Sequence, residues 1–228
     1  MESTINDILT RRSVKKYKSA PVPQEIIDKI INAGLYAPSG MGAQSPIIIQ
    51  VTNKEMRNKL AKMNADIMGA DTDPFYGAPC VLIVLADKNR PTAVYDGSLV
   101  MENLMLAAHA LGLGSCWIHR AKEEFESEEG KEILKSLGIE GEYIGIGHCI
   151  IGFADGEPKP QAERKPGSKN KRTKKSSKEC FLAALFHCEI YCGKLLCKLC
   201  PCLFNALNEK LAGFGDFVII ACFCPCDE

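Results

Sequence analysis

The stretch from Tyr95 to Leu111 limits the possible folds more than any other part of this sequence. Its pattern is helical, and apolar residues occupy several sides of the helix instead of a single stripe. A helix that is apolar nearly all round is a buried helix, enclosed by other elements. Gly112 follows it in the position typical of a helix C-terminus. The chain is therefore expected to build a layered domain around this helix.

Apolar runs on both sides of the helix predict strands. The run CVLIVLA at 80–86 is continuous, which is typical of a central strand covered on both faces. Shorter runs predict three more strands, at 47–51, 115–119 and 148–153. Helical spacing predicts further helices after Ser3, over 26–35, over 54–69 and over 128–137. Intermixed helices and strands indicate an α/β or α+β layered domain.

Composition and charge argue against several classes of protein. The 228 residues carry 28 basic and 28 acidic side chains, so overall charge gives no support for nucleic-acid binding. The N-terminus has no basic segment followed by an apolar run, so a secretory signal is not expected. No run of about 20 apolar residues predicts a membrane span. A cytoplasmic protein is the expectation.

The cysteines divide the chain into unlike parts. Three of the twelve, Cys80, Cys116 and Cys149, lie in residues 1–167, and the other nine follow residue 179. Residues 168–179 are basic and lack an apolar pattern, which is typical of a linker. We therefore predict a domain at 1–167, a basic linker at 168–179 and a Cys-rich extension at 180–228.

The Cys-rich extension allows several interpretations. Its spacings, C-x4-C-x2-C-x-C and then C-x-C-x-C, match neither zinc-ribbon pairs nor the common iron–sulfur run, so no metal site is predicted. Association with a membrane surface is a less favoured alternative, suggested by apolar residues that follow a basic arm. The role of the extension stays open.

The stretch RRSVKKY at 11–17 places four cations within six positions. One interpretation is a solvated helix end, where the helix dipole favours cations. The other is an anion site, in which Arg11 offers a bidentate fork, Ser13 a hydroxyl and Lys15 a point charge.

The stretch APSGMGAQSP at 37–46 predicts a loop that can approach a flat ligand. Pro38, Gly40 and Gly42 allow the backbone to come close to such a ligand. Ser39 offers a hydroxyl, and the Gln44 amide can donate and accept at the edge of a heteroaromatic ring. An ordinary turn would explain the Gly and Pro residues but not Gln44.

Taken together, these stretches resemble the nitroreductase family of flavin enzymes. That family has R-R-S-x-R/K-x-Y after its first helix and P-S-x-x-N-x-Q further along. This chain has RRSVKKY and PSGMGAQ, followed in order by DPFYGAPCVLIVLAD, AAHALGLGSCWI and GFADGEPKPQAERK. The resemblance covers about residues 3–167. Gly42 stands where the family usually has Asn, and Lys15 replaces the commoner Arg.

The resemblance implies a fold, a cofactor and an activity. The fold would be α+β, a three-layer α/β/α sandwich with a mixed central sheet around a buried helix, assembled as a domain-swapped homodimer. FMN would be the cofactor and NADH or NADPH the co-substrate, with a nitroaromatic, quinone or similar small-molecule acceptor. The residues implied to bind the cofactor are Arg11, Arg12, Ser13, Lys15, Pro38, Ser39, Gly40, Gln44, Asn64, Trp117, Ile118, His119, Arg120, Arg164 and Lys165.

Individual roles also follow from the resemblance. Arg11, Ser13 and Lys15 would bind the phosphate and ribityl part of FMN, and Arg164 or Lys165 would close over the same phosphate. The loop of Pro38, Ser39, Gly40 and Gln44 would reach the flavin of the partner subunit. Asn64 would contact the pyrimidine edge.

The resemblance assigns the chemistry to the flavin and no catalytic role to a side chain. A backbone N–H at His119 or Arg120 would hydrogen-bond flavin N5, which passes hydride from NAD(P)H to the acceptor by a ping-pong mechanism. The alternative is a flavin-binding or storage protein with little turnover, whose Cys-rich extension binds a metal or a partner. NAD(P)H oxidation coupled to an acceptor separates the two.

Overall fold

The computed structural model describes residues 3–163. The predicted linker, the Cys-rich extension, Arg164 and Lys165 lie outside these described residues. In chain order the elements are α1 (Ser3–Thr10), α2 (Gln24–Leu35), a 3-10 turn (Gly40–Gly42), β1 (Pro46–Val51), α3 (Lys54–Met68), β2 (Cys80–Asp87), α4 (Ala93–Ala110), β3 (Gly114–Ile118), α5 (Ala121–Glu126), α6 (Glu128–Ser136) and β4 (Tyr143–Gly152). Within 3–163, none of the helices combines the length and apolarity that crossing a bilayer requires.

Strand β2 is the centre of the structure and is buried along nearly its whole length. Because successive side chains of a strand point to opposite faces, β2 contributes to two separate cores. Val81, Ile83 and Leu85 enter one apolar cluster, whereas Leu82 and Val84 enter the other. The continuous apolar run at 80–86 is thus explained by two covered faces, as predicted.

The two clusters correspond to two helical layers on either side of the sheet. Helices α2 and α4 pack on one face, through residues such as Ile30 and Leu104. Helices α3, α5 and α6 pack on the other, through residues such as Leu60, Phe125 and Ile133. The predicted three-layer α+β sandwich is confirmed.

The sheet has the strand order β1-β2-β4-β3. All three strand pairings are antiparallel, so the expected mixed sheet is not what the described residues form. The parallel pairing in this part of the chain is a single isolated bridge between Ser13 and Ser115. This bridge places the segment that follows α1 along the outer edge of β3.

Helix α4 differs from its prediction on one side. Val100, Met101 and Leu104 are buried as expected, but Tyr95 is 72% exposed and Leu99 is 45% exposed. The pattern showed that most sides of the helix are apolar, and a single copy of the chain covers only some of them. The exposed side of α4 therefore remains an apolar surface.

Strand β4 begins earlier than predicted, at Tyr143 instead of residue 148. Gly145 and Gly147 interrupt the apolar pattern there, and glycine has a low preference for strands. Both are sites of close approach, because Gly145 faces the backbone of Ala121 and Gly147 faces the indole of Trp117.

We predict that Gly145→Ala lowers the free energy of unfolding. The added Cβ would lie 2.1 Å from the Ala121 carbonyl oxygen and 2.6 Å from the Lys122 nitrogen, and these backbone atoms cannot rotate away. Overpacking of this kind costs about 1–3 kcal/mol, measurable by urea denaturation. Glu132→Ala on the exposed side of α6 is the control and should stay within about 0.5 kcal/mol of the parent. Identical midpoints for the parent and Gly145→Ala would contradict the packing argument.

Candidate functional site

The basic segment at 11–17 lies beside β3 and alternates between buried and exposed side chains. The Val14 N–H donates to the Ser115 carbonyl over 3.0 Å, and the Tyr17 hydroxyl donates to the Val14 carbonyl over 2.8 Å. Val14 and Tyr17 are buried, whereas Ser13 and Lys15 are exposed. The apolar residues thus fix the segment to the sheet and turn its polar residues outward.

Arg11 carries the clearest sign of a missing ligand. Its Nε and Nη1 atoms are buried and have no hydrogen-bond partner among the described residues. The Glu102 carboxylate is 3.9 Å from Nε, which is an ion-pair distance but too long for a hydrogen bond. Buried donors without partners are costly. Acceptor oxygens of a bound anion would supply these partners through charge-assisted hydrogen bonds.

Ser13, Lys15 and Arg11 all lie close enough to the buried Cys116 thiol to affect its pKa. Burial raises the pKa of Cys116, while the Ser13 side chain and the charges of Lys15 and Arg11 act to lower it. The Lys15 ammonium also lies 5.6 Å from the centre of the Tyr76 ring. The three residues expected to bind a phosphate therefore form one patch, which is a candidate anion site.

Arg12 does not belong to this patch. Its Nη1 donates to the carbonyls of Leu9 and Arg11 over 2.9 and 2.5 Å, and its Nη2 donates to Gln161 Oε1 over 2.7 Å. These protein acceptors occupy Nη1 and Nη2 of the guanidinium, and the predicted contact of Arg12 with the cofactor stays a prediction. Arg12 instead joins the end of α1 to the chain that follows β4.

The glycine-rich loop is held by α4. The Gly40 N–H donates to Asp96 Oδ1 over 2.9 Å, and Thr92 Oγ1 donates to Asp96 Oδ2 over 2.8 Å. A side chain at Gly40 would lie 2.5 Å from Thr92 Oγ1, so glycine is required for this approach. The Gln44 N–H donates to Ser39 Oγ over 2.9 Å. Pro38 and the Gln44 side chain are exposed.

The loop and the basic segment lie at different places along α4. Asp96 holds the loop near the N-terminus of the helix, whereas His109 near its C-terminus lies 2.8 Å from Thr10 Oγ1. Thirteen residues separate Asp96 from His109, which is about 20 Å along a helix. A single protomer thus presents the two motifs apart from one another.

The turn between β3 and α5 contains the remaining candidates. Trp117 is partly buried against Gly147, Ile118 is buried and His119 is exposed. Arg120 has a φ of +78°, a left-handed conformation that is uncommon for a residue other than glycine. The chain therefore turns sharply where the sequence predicted a backbone contact with a ligand.

Asn64 is buried and bound by protein partners. Its side chain is 0% exposed. The amide nitrogen donates to the His119 carbonyl over 2.8 Å, and the amide oxygen accepts from Arg120 Nε over 2.9 Å. The predicted contact of Asn64 with a pyrimidine edge stays a prediction, and the described structure shows this amide bound to the β3–α5 turn.

Sequence reasoning missed three acidic residues that hold these loops: Asp73, Asp96 and Glu124. Asp73 accepts from Arg57 over 2.5 Å and from the N–H groups of Phe75 and Gly77 over 2.9 and 2.8 Å. In D-P-F-Y-G the Asp precedes Pro and Gly, a turn signal that could have identified it. Asp96 and Glu124 lie in helices and give no comparable signal.

The fold and the site together define a class: an α+β sandwich with a candidate anion site at the edge of an antiparallel sheet. The chain belongs to the nitroreductase family, whose sequence profile matches residues 8–71 and 70–153. The expected family resemblance is thus confirmed.

Individual proteins show the same relationship. A Methanothermobacter thermautotrophicus protein provisionally named NADH dehydrogenase/NAD(P)H nitroreductase is 38% identical over 114 residues, which span 48% of this chain and 57% of that protein. A Bacillus subtilis FMN reductase [NAD(P)H] is 33% identical over 188 residues, or 73% of this chain and 70% of that protein. The crystal structure of a Bacteroides fragilis nitroreductase with bound FMN matches with a TM-score of 0.69 at 26% identity, covering 75% of this chain and 98% of that one.

We predict that Asp73 makes the stability of the fold depend on pH. Burial raises the pKa of its carboxyl, but hydrogen bonds from Arg57, Gly77 and Phe75 outweigh burial and lower the pKa below its usual value. The ionised carboxylate therefore stabilises the folded state above about pH 4, and this contribution is lost as the pH falls below that value. Asp73→Asn should lower the melting temperature at pH 6 and flatten its decline between pH 5 and 3.

The control for this prediction is Asp71→Asn, which removes an exposed carboxylate two residues away. It should keep the parent's melting temperature at pH 6 and the parent's decline. If Asp73→Asn follows the parent's curve throughout, Asp73 does not hold the loop.

Proposed function

We propose that this protein binds FMN and catalyses the NAD(P)H-dependent reduction of a small-molecule acceptor such as a nitroaromatic or a quinone. The observation that carries the proposal is the partly buried Arg11 guanidinium, two of whose nitrogens are buried without a hydrogen-bond partner within residues 3–163. The names of the related proteins and the FMN bound in the Bacteroides structure support FMN as the anion and NAD(P)H as the co-substrate. Two measurements test it: the visible spectrum of the purified protein and its rate of NAD(P)H oxidation with and without an acceptor. A flavin spectrum without acceptor-dependent oxidation would instead support a storage protein.

The residues of the candidate anion site fit the phosphate of FMN. The Arg11 fork pairs with two phosphate oxygens, Ser13 donates its hydroxyl, and Lys15 contributes positive charge. Arg164 and Lys165 lie outside the described residues, and the family resemblance alone suggests them as further ligands of the same phosphate.

Bound FMN would supply the redox chemistry, accepting hydride from NAD(P)H and passing it to the acceptor in a ping-pong sequence. The chain would orient the cofactor through the β3–α5 turn. A backbone N–H at His119 or Arg120 would donate a hydrogen bond to flavin N5, and Trp117 and Ile118 lie in the strand that leads to this turn. No side chain is assigned a proton transfer.

We also propose a homodimer in which each subunit completes the site of the other. Helix α1 has no buried residue, and its Ile5, Ile8 and Leu9 are each more than half exposed. Tyr95 and Leu99 of α4 are exposed as well, and exposed apolar side chains of this kind mark interfaces when they cluster. The separation of the two motifs along α4 supports the same arrangement, in which the loop from Pro38 to Gln44 reaches the partner's flavin.

We predict that Arg11→Ala weakens FMN binding. Loss of a charge-assisted contact to phosphate costs about 1.5–3 kcal/mol, equivalent to a rise of roughly 10- to 100-fold in the dissociation constant. Fluorescence titration of the FMN-free protein measures it. Lys18→Ala is the matched control, because it removes one exposed cation from the same stretch and should bind as the parent does. Parent-like affinity of Arg11→Ala would exclude Arg11 from the phosphate site.

We predict that inactive subunits complement each other. Arg11→Ala damages the phosphate site, and Gln44→Ala damages the loop that reaches the partner's flavin. A heterodimer of the two would have one doubly damaged site and one intact site, so mixed and exchanged subunits should regain up to about a quarter of parental activity. Mixing each variant with itself is the control. A fully active monomer by light scattering would rule out the shared site.

A further inference from the structure

Three polar side chains are buried together between α3, α5 and β4. Asn64, Glu124 and His148 are each 0% exposed. The rings of Phe75 and Phe125 lie 5.1 and 6.5 Å from the His148 ring, so the surroundings are apolar. Burying polar and ionisable groups in such surroundings is unfavourable unless they are paired. Their presence here calls for a purpose other than stability.

Asn64 connects this cluster to the β3–α5 turn. Its amide nitrogen donates to the His119 carbonyl and to Glu124 Oε1, and its amide oxygen accepts from Arg120 Nε. One side chain therefore holds the backbone on one side of the turn and the guanidinium on the other.

Glu124 determines which way the Asn64 amide points. The nitrogen and oxygen ends of an asparagine amide are similar in shape, so only the partners distinguish them. The Glu124 Oε1 atom and the His119 carbonyl both accept hydrogen bonds here, so the amide nitrogen faces them. The oxygen then faces Arg120, whose guanidinium can only donate. If the amide were flipped, its nitrogen would face the Arg120 donor, and its oxygen would face the acceptor atoms of Glu124 and His119.

The turn needs this support because of its backbone. Arg120 has a φ of +78°, and left-handed backbone is unfavourable for residues with a Cβ. Such a conformation persists only where the surroundings hold it. Without the Asn64 contacts, the backbone at 119–120 is free to relax toward a more common conformation.

His148 lies on the other side of the carboxylate. Its Nε2 is 2.9 Å from Glu124 Oε2, although the two atoms are not aligned as a hydrogen bond. Placed against Phe75, His148 limits where the second carboxylate oxygen can lie. Glu124 is thus held from both sides, with Oε1 directed at Asn64.

We propose that Glu124 is a positioning residue for the β3–α5 turn, acting through the orientation of the Asn64 amide. The inference rests on the proposed function, in which this turn presents a backbone N–H to FMN. What the turn requires of Glu124 is an acceptor atom at the Oε1 position and not the negative charge itself.

The test compares Glu124→Gln, which keeps an acceptor at that position and loses the charge, with Glu124→Asp, which keeps the charge and withdraws the acceptor. The first measurement is hydrogen exchange of the peptide covering residues 117–121 in the full-length, FMN-free protein. We expect exchange at least about tenfold faster than the parent in Glu124→Asp and parental exchange in Glu124→Gln. Glu129→Gln is the matched control, an exposed carboxylate 3.1 Å from Lys59, and should leave this peptide unchanged.

The second measurement is the rate of FMN reduction by saturating NADH in the loaded proteins. A displacement of about 1 Å at a reacting centre costs up to about 100-fold in rate. We therefore expect Glu124→Asp to slow reduction by about 10- to 100-fold with the NADH dissociation constant within about threefold of the parent. Glu124→Gln should stay within about threefold of the parental rate.

The outcomes separate this inference from the proposed function. If the parent neither retains FMN nor oxidises NAD(P)H, the proposed function fails, while the exchange measurement still tests the turn. If Glu124→Gln is affected as strongly as Glu124→Asp, or if both exchange as the parent does, the positioning role is overturned. Should Glu124→Asp fail to fold, Glu124→Met removes the acceptor at similar length and is judged by the same criteria.

Discussion

Burial of β2 on both faces is the constraint on which the rest of the structure depends. One strand supplies apolar side chains to two cores, so each face of the sheet requires its own helical layer. The two layers cover both faces of the central strands. The candidate anion site accordingly lies at the outer edge of β3, where the Ser115 carbonyl binds the Val14 N–H. The edge position keeps Arg11 close to the core and Lys15 exposed.

A common principle connects the loops that carry the candidate site. Each is held by one polar side chain that binds its backbone: Asp96 holds Gly40, Asp73 holds Phe75 and Gly77, and Asn64 holds His119. The anchors are attached to the packed layers, and the loops project from them. Because these side chains hold the loop backbones, the loops position the site residues almost as precisely as helices or strands would.

Much of the fold could be predicted because apolar periodicity reports burial directly. The central strand and the layers around it follow from the run at 80–86 and the apolar residues of α4. Periodicity does not report which surface covers an apolar side of a helix. The prediction of burial was therefore wrong for the side of α4 that carries Tyr95 and Leu99. The start of β4 was missed because glycine has a low preference for strands. Gly145 and Gly147 stand there because the Ala121 backbone and the Trp117 indole pack closely against them.

The motif at 11–17 could be identified from the sequence, but the contacts that its individual residues make could not. Arg11 and Arg12 are adjacent and identical in sequence, and only the end of α1 decides which guanidinium is left without protein acceptors. Asn64 was identified as polar and near the site, but a sequence does not show that Glu124 and His119 occupy its amide. Contacts between residues about 60 positions apart, as between Asn64 and Glu124, leave no local pattern.

Trp117 is the single tryptophan of the chain, and it lies against Gly147 at the start of the β3–α5 turn. Its ring is 6.0 Å from that of His119, and its buried Nε1 has no hydrogen-bond partner among the described residues. Indole emission depends strongly on local polarity and on nearby quenching groups. Because all of the tryptophan emission comes from Trp117, the intrinsic fluorescence of the unmodified protein is a site-specific probe of the turn.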